Sequence, residues 1–111
     1  MEIRSEQRDR VTVVAIDGSV DGLTAPSLAQ SFRQQIGEGR VHIVADLGRV
    51  SYTSSAGLRA LLEAVKESRQ RGGDLRLASV QPDVYRVLDL SGFTGILKLF
   101  PDVDAAVASF A

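Results

Sequence analysis

Val41-His42-Ile43-Val44-Ala45-Asp46-Leu47, followed closely by Ser51-Tyr52-Thr53-Ser54-Ser55-Ala56-Gly57-Leu58, is an apolar, β-branched run that gives way to adjacent hydroxyl residues and then to a helical pattern. The first run reads as a strand buried on both faces, the position of a central parallel strand. Beyond it, Leu58, Leu61, Leu62 and Val65 fall at i, i+3, i+4 and i+7, with Arg59, Glu63, Lys66 and Glu67 on the opposite face. That spacing predicts an amphipathic helix to about Arg71, where Gly72-Gly73 stops it. Ser54 or Ser55 is then the N-cap. Its side-chain oxygen would accept an otherwise unpaired backbone N–H, at a helix end that favours negative charge. A serine in that place can cap, bind an anion or carry a phosphoryl group.

Working outward, Ile3 to Gln7 and Val11 to Ile16 read as two strands joined by Arg8-Asp9-Arg10, short enough for an antiparallel hairpin. Asp17-Gly18-Ser19-Val20-Asp21-Gly22 is turn chemistry. Thr24 is placed to cap a helix whose apolar positions Leu28, Phe32 and Ile36 recur every four residues, with Pro26 tolerated in its first turn and Gly37 and Gly39 at its end. After the serine-led helix, Leu75 to Ala78 reads as another strand, and Pro82 to Leu90 as a third helix with Val84, Val87 and Leu88 inward. Ile96 to Phe100 is expected as a short edge strand. Asp102 should cap a small helix bearing Val103, Ala106, Val107 and Phe110. A hairpin followed by alternating helix and strand predicts an α/β layered domain: a single domain over 1–111, with a mixed four- or five-stranded sheet and about four helices. In such a sheet the loop after Leu47 and the Gly18 to Thr24 turn share one edge, which places Asp21 and Thr24 near Ser54 and Ser55.

Bulk properties narrow the function. The 111 residues are 44% apolar, with 13 basic against 14 acidic side chains and a net charge of −1, so neither a nucleic-acid footprint nor a disordered composition is present. The absence of cysteine excludes disulfide and thiol chemistry. With no apolar signal region and no run of membrane-spanning length, a cytoplasmic protein without membrane insertion is the expectation. No Gly-x-Ser-x-Gly elbow or Gly-x-x-x-x-Gly-Lys loop occurs, and the sole histidine, His42, reads as a packed or surface residue of a strand. No catalytic, cofactor-binding or metal-binding residue is assigned, and the chain is not expected to be an enzyme.

Three segments together resemble a known family. Asp17-Gly18-Ser19-Val20-Asp21-Gly22-Leu23-Thr24-Ala25, Val44-Ala45-Asp46-Leu47 leading to Tyr52-Thr53-Ser54-Ser55-Ala56-Gly57-Leu58, and Leu88-Asp89-Leu90-Ser91-Gly92-Phe93 are similar in order and spacing to the STAS domain, and within it to the bacterial anti-sigma factor antagonists. Aligned on Gly57 and Leu58, the resemblance places the family's phosphoacceptor serine on Ser55. Ser54 stands where the family commonly has aspartate. The resemblance implies that the unphosphorylated protein binds an anti-sigma factor, which is also the serine kinase, and so frees a sigma factor; a serine phosphatase resets it. It implies a partner-binding surface of Asp21, Thr24, Ser54, Ala56, Gly57 and Arg59. The residues themselves leave two other readings open: a STAS subunit of a transport complex in which the serines merely cap, and a nucleotide- or anion-binding module at the Gly18 and Ser55 loops.

Overall fold

A computed structural model describes Met1–Ala111. The elements are β1 (Glu2–Arg8), β2 (Val11–Asp17), α1 (Ala25–Gly37), β3 (His42–Arg49), α2 (Ser55–Gln70), β4 (Asp74–Ala78), α3 (Pro82–Leu90), β5 (Leu99–Phe100) and α4 (Val103–Ala108). One five-stranded sheet has the order β1-β2-β3-β4-β5, with β1 antiparallel to β2 and every other neighbour parallel. This is the mixed α/β sheet with four helices that the alternation of patterns predicts. The β1–β2 turn is only Asp9-Arg10, and Asp9 lies in the left-handed region at φ 58°, a conformation that aspartate tolerates better than most residues.

Strand alternation divides the core. Val14, Ile16, Ile43, Ala45, Leu47, Leu75 and Leu77 face the layer of α1, α2 and α3 and belong to a 21-residue apolar cluster. On the other face Val11, Val13, Val44 and Ala78 meet Ala106 of α4, with Phe100, Val103, Val107 and Phe110 packed around them. The central strand is therefore covered on both sides, as its continuous apolar run predicts. Each large side chain fully buried here, such as Phe32, Ile43, Leu75 or Leu88, contributes roughly 1.5–3 kcal/mol by leaving water.

Two details differ from the sequence expectation. The segment from Ile96 pairs with β4 only at Leu99 and Phe100, because Phe93–Gly95 forms a 3₁₀ turn. The N–H groups of Ile96 and Leu97 donate to the Phe93 carbonyl at 3.0 and 2.8 Å, which holds them in the turn while Leu97 enters the core. On α2, Leu62 is only half-buried, and Ala60 and Ala64 take inward positions beside Leu58, Leu61 and Val65. Small residues there let α2 pack closely on α1.

The far end of α2 is fixed by a close backbone approach. A Cβ on Gly73 would lie 1.9 Å from the Val41 carbonyl oxygen, whose hydrogen bond from Asp74 N–H, at 2.9 Å, starts the β3–β4 ladder. Asp74 itself is buried, and its carboxylate is held by Arg69 Nε at 2.8 Å and Arg76 Nε at 3.1 Å, so the charge is paired as burial requires.

Gly73→Ala should therefore lower stability by about 2–3 kcal/mol, because the atom it meets is backbone. Gly37→Ala, at a helical position with nothing within 4 Å of the new Cβ, should be neutral or gain up to about 1 kcal/mol. Urea unfolding of the two variants checks this; equal midpoints would contradict it.

Candidate functional site

The loops after β2 and β3 are joined by backbone pairing. Gly18 N–H donates to the Arg49 carbonyl at 3.1 Å, Val20 N–H to the Tyr52 carbonyl at 3.0 Å, and Ser54 N–H to the Val20 carbonyl at 2.8 Å. Val20 and Thr53 thus form a parallel bridge beyond the end of the regular ladder. Their side chains are buried, while Ser51 and Tyr52 are turned to solvent.

Helix α2 rises directly from this bridge. Ser54 is extended (φ −89°, ψ 174°), and its Oγ accepts from Gly57 N–H at a long 3.4 Å; Ser54 is therefore the cap, and Ser55 is the first helical residue. The Ser55 side chain lies exposed at the positive end of a 16-residue helix, unused by the cap. A Cβ on Gly57 would meet Thr53 Oγ1 at 2.3 Å and Val20 Cγ1 at 2.7 Å, so the first turn rests on the bridge at a distance only glycine permits.

The neighbouring turn is knotted by Asp21. Its Oδ1 accepts from Leu23 N–H at 2.9 Å and Thr24 N–H at 3.0 Å, and the Thr24 hydroxyl accepts from Asp21 N–H at 2.8 Å. The same hydroxyl lies 3.1 Å from both Asp21 Oδ1 and the Ser19 carbonyl, either of which can take its proton. Backbone N–H donation from Thr24 and then Leu23 holds the Asp21 carboxyl below its ordinary range. The expected Thr24 cap is corrected here. Thr24 occupies the N-cap position of α1 but makes no side-chain cap bond: its backbone is already helical (φ −98°, ψ −23°) where a capping residue is extended, Pro26 removes the N2 donor, and the hydroxyl is turned back to accept from Asp21 N–H.

Of the residues singled out from sequence, Asp21, Thr24, Ser54 and Ser55 belong to these two bridged loops, and Arg59 is exposed one turn along α2. Ala56 is half-buried and Gly57 is buried, so Gly57 positions the helix start and offers no side chain to a partner. Sequence reasoning passed over Leu23, 89% exposed at the tip of the Asp21 turn, and Tyr52, 53% exposed beside the bridge. The available signal was an apolar residue inside turn chemistry. Ala25, Pro26, Ala29, Ala56 and Ala60 floor a shallow groove between α1 and α2 next to Leu23, with Arg59 and Glu63 on its rim. The surface suits protein docking: apolar anchors, a small-residue groove and a few charges.

Gly57→Ala should push the helix start off the bridge, costing about 1–3 kcal/mol and speeding exchange of the Ser54 amide hydrogen. The Asp21 knot has a pH signature. A depressed folded-state pKa means that the ionised carboxyl's contribution is complete above about pH 4 and lost only as pH falls through the lower value. The Leu23 and Thr24 amide resonances should titrate with a midpoint below that of an unfolded aspartate, and Asp21→Asn should abolish that titration.

The comparisons with known proteins agree with this architecture. A family model described as the STAS domain matches residues 2–106. BtrV of Bordetella bronchiseptica, assigned as an anti-sigma factor antagonist, is 34% identical over 110 residues, covering 99% of this chain and 95% of BtrV. The crystal structure of an anti-sigma factor antagonist from Mycobacterium paratuberculosis is similar with a TM-score of 0.89 and 27% identity, over 97% of this chain and 92% of that one. The Bacillus cell fate determinant SpoIIAA, solved in its phosphorylated form, shares the fold with a TM-score of 0.77 and 19% identity, over 99% of this chain and 100% of its own. The matched residues run from β1 into α4, and the chain belongs to the STAS domain family.

Proposed function

We propose that this STAS domain is an anti-sigma factor antagonist: a protein-interaction switch that binds an anti-sigma factor serine kinase through the bridged loops and the start of α2, and is released by phosphorylation of Ser55. The observation that carries the reading is the division of labour between adjacent serines. Ser54 closes the helix, which leaves the Ser55 hydroxyl exposed at a helix start beside Leu23 and Tyr52. The kinship with BtrV and the mycobacterial antagonist supports the partner class.

A phosphoryl group on Ser55 adds about −1.5 to −2 charges and three acceptor oxygens. At the helix start the dipole favours it by roughly 0.3–1 kcal/mol, so the fold tolerates the modification. In a packed interface the same group must be desolvated, and a loss of about 3 kcal/mol corresponds to about a hundredfold in affinity. The domain needs no general base of its own, since the kinase brings ATP, metal and base. Asp21, Thr24, Ser54, Ala56 and Arg59 form the contact surface around Ser55, with Gly57 beneath it. Ser54 stands where the family commonly has aspartate, so the local charge before phosphorylation is less negative in this chain. A serine phosphatase would restore the binding form in the cytoplasm.

Incubation with the partner kinase and ATP, followed by peptide mapping, should place one phosphate on Ser55, and Ser55→Ala should receive none. The phosphorylated protein should keep its circular dichroism spectrum while its affinity for the kinase falls about a hundredfold. Phosphate on neither Ser55 nor Ser54, with a partner that binds, would overturn the switch.

A further inference from the structure

The outer edge of β1 is open, and its sequence is complementary to itself. Glu2-Ile3-Arg4-Ser5-Glu6-Gln7-Arg8 forms a seven-residue terminal strand with no proline, glycine or lysine and no irregularity in its register with β2. Natural edge strands are usually guarded by one of those features or by charges that repel a second strand. Here the charges alternate in sign. Glu6 and Arg8 lie opposite Val13 and Val11, which face α4, so Glu2, Arg4, Glu6 and Arg8 all stand on the α4 face. Ile3, packed against the opposite core, marks the other face.

We propose that β1 pairs antiparallel with β1 of a second copy of this chain about a two-fold axis through Ser5, giving a continuous sheet across the two molecules. In that register Glu2 lies opposite Arg8 of the second copy, Arg4 opposite Glu6, Glu6 opposite Arg4 and Arg8 opposite Glu2. Every charged position on the α4 face meets the opposite sign. Sliding by two residues in one direction sets Arg4 against Arg8 and Glu6 against Glu6; sliding in the other sets Glu2 against Glu6 and Arg4 against Arg4. Like charges directly opposite are destabilising, so the Ser5-centred register is selected over both neighbours.

The backbone agrees. The two-residue turn Asp9-Arg10 makes Arg8 and Val11 the hydrogen-bonded closing pair of the hairpin, so by alternation Ile3, Ser5 and Gln7 direct their N–H and C=O groups away from β2. Those are the groups that the Ser5-centred register pairs, with up to about six N–H···O bonds. The charged residues then occupy the non-hydrogen-bonded pairs, where cross-strand side chains approach most closely. Arg8 already donates through one Nη to Asp104 at 2.7 Å, and its other N–H groups remain for Glu2 of the second copy.

Sedimentation equilibrium from micromolar to millimolar concentration should show the wild-type chain as a monomer–dimer equilibrium that weakens with salt. Arg4→Glu should weaken association about tenfold or more, and the charge swap Arg4→Glu with Glu6→Arg should restore it to within about threefold, since opposite signs again face each other. Circular dichroism establishes that each variant is folded. Ser5 pairs with itself at a Cα separation of about 5.5 Å, within reach of a short bis-methanethiosulfonate cross-linker, and the chain has no cysteine of its own. Ser5→Cys should therefore form a covalent dimer with that reagent, whereas Gln7→Cys, far from the axis, should not. A wild-type chain that stays monomeric throughout, a folded charge swap as weak as Arg4→Glu alone, or a dimer that Ser5→Cys fails to cross-link would each overturn the proposal.

Discussion

The parallel bridge between Val20 and Thr53 is the constraint on which the candidate site of this molecule depends. The β2–β3 register shifts between Ala15 and Asp17, yet the two chains stay adjacent through the hydrogen bonds from Gly18, Val20 and Ser54. Two loops that would each be mobile become one unit, so the entropy of ordering them is met during folding and not when a partner arrives. The bridge also sets the height of α2. Only a glycine at position 57 lets the first turn descend onto Thr53 and Val20, and that descent fixes where Ser55 stands.

At its other end the same helix is seated with equal firmness. Gly73 lies against the Val41 carbonyl, and the Asp74 carboxylate holds Arg69 from the last turn of α2 together with Arg76 from β4. Between these two seats Leu58, Leu61 and Val65 are buried in the main core. A helix held at both ends and along one face is a stiff support. Charge added at its first residue changes the surface that a partner meets far more than it changes the fold, because the helix dipole is already oriented to accept it. A switch of the proposed kind would therefore need no moving element.

The sequence expresses the order of elements well because that order rests on local signals: the β-branched run of β3, the period of α2, the short polar link Arg8-Asp9-Arg10, of which the structure leaves only Asp9-Arg10 as the turn, and the Asp102 cap, which does accept Ala105 N–H at 2.7 Å. What it conceals depends on neighbours distant along the chain. Thr24 has the right chemistry and position for a cap, but its backbone is already helical, Pro26 removes one of the two N–H groups a cap could reach, and the hydroxyl accepts from Asp21 N–H. Ile96 to Phe100 has strand composition throughout, but a 3₁₀ turn closed on the Phe93 carbonyl leaves only two residues to pair. At the site, the serines were legible as a helix start, while the exposure of Leu23 was not. Leu23 is presented by a knot of hydrogen bonds that its own N–H and that of Thr24 donate to the Asp21 carboxylate.

The two candidate interaction surfaces are geometrically independent, and this follows from strand direction alone. Ser55 sits beyond the C-terminal end of β3, whereas the free strand edge is a side of the sheet, two strands away from β3. An antiparallel pairing about Ser5 reverses every strand of the second copy, so the two α2 start sites would lie at opposite ends of the joined sheet. Neither would cover the other. A phosphoryl group on Ser55 would leave the β1 edge and its charges unchanged, and pairing at β1 would leave both serines accessible. The arrangement would give one particle two separated docking sites, each switched by its own serine, with a gain in avidity only for a partner whose own binding sites span the distance between them.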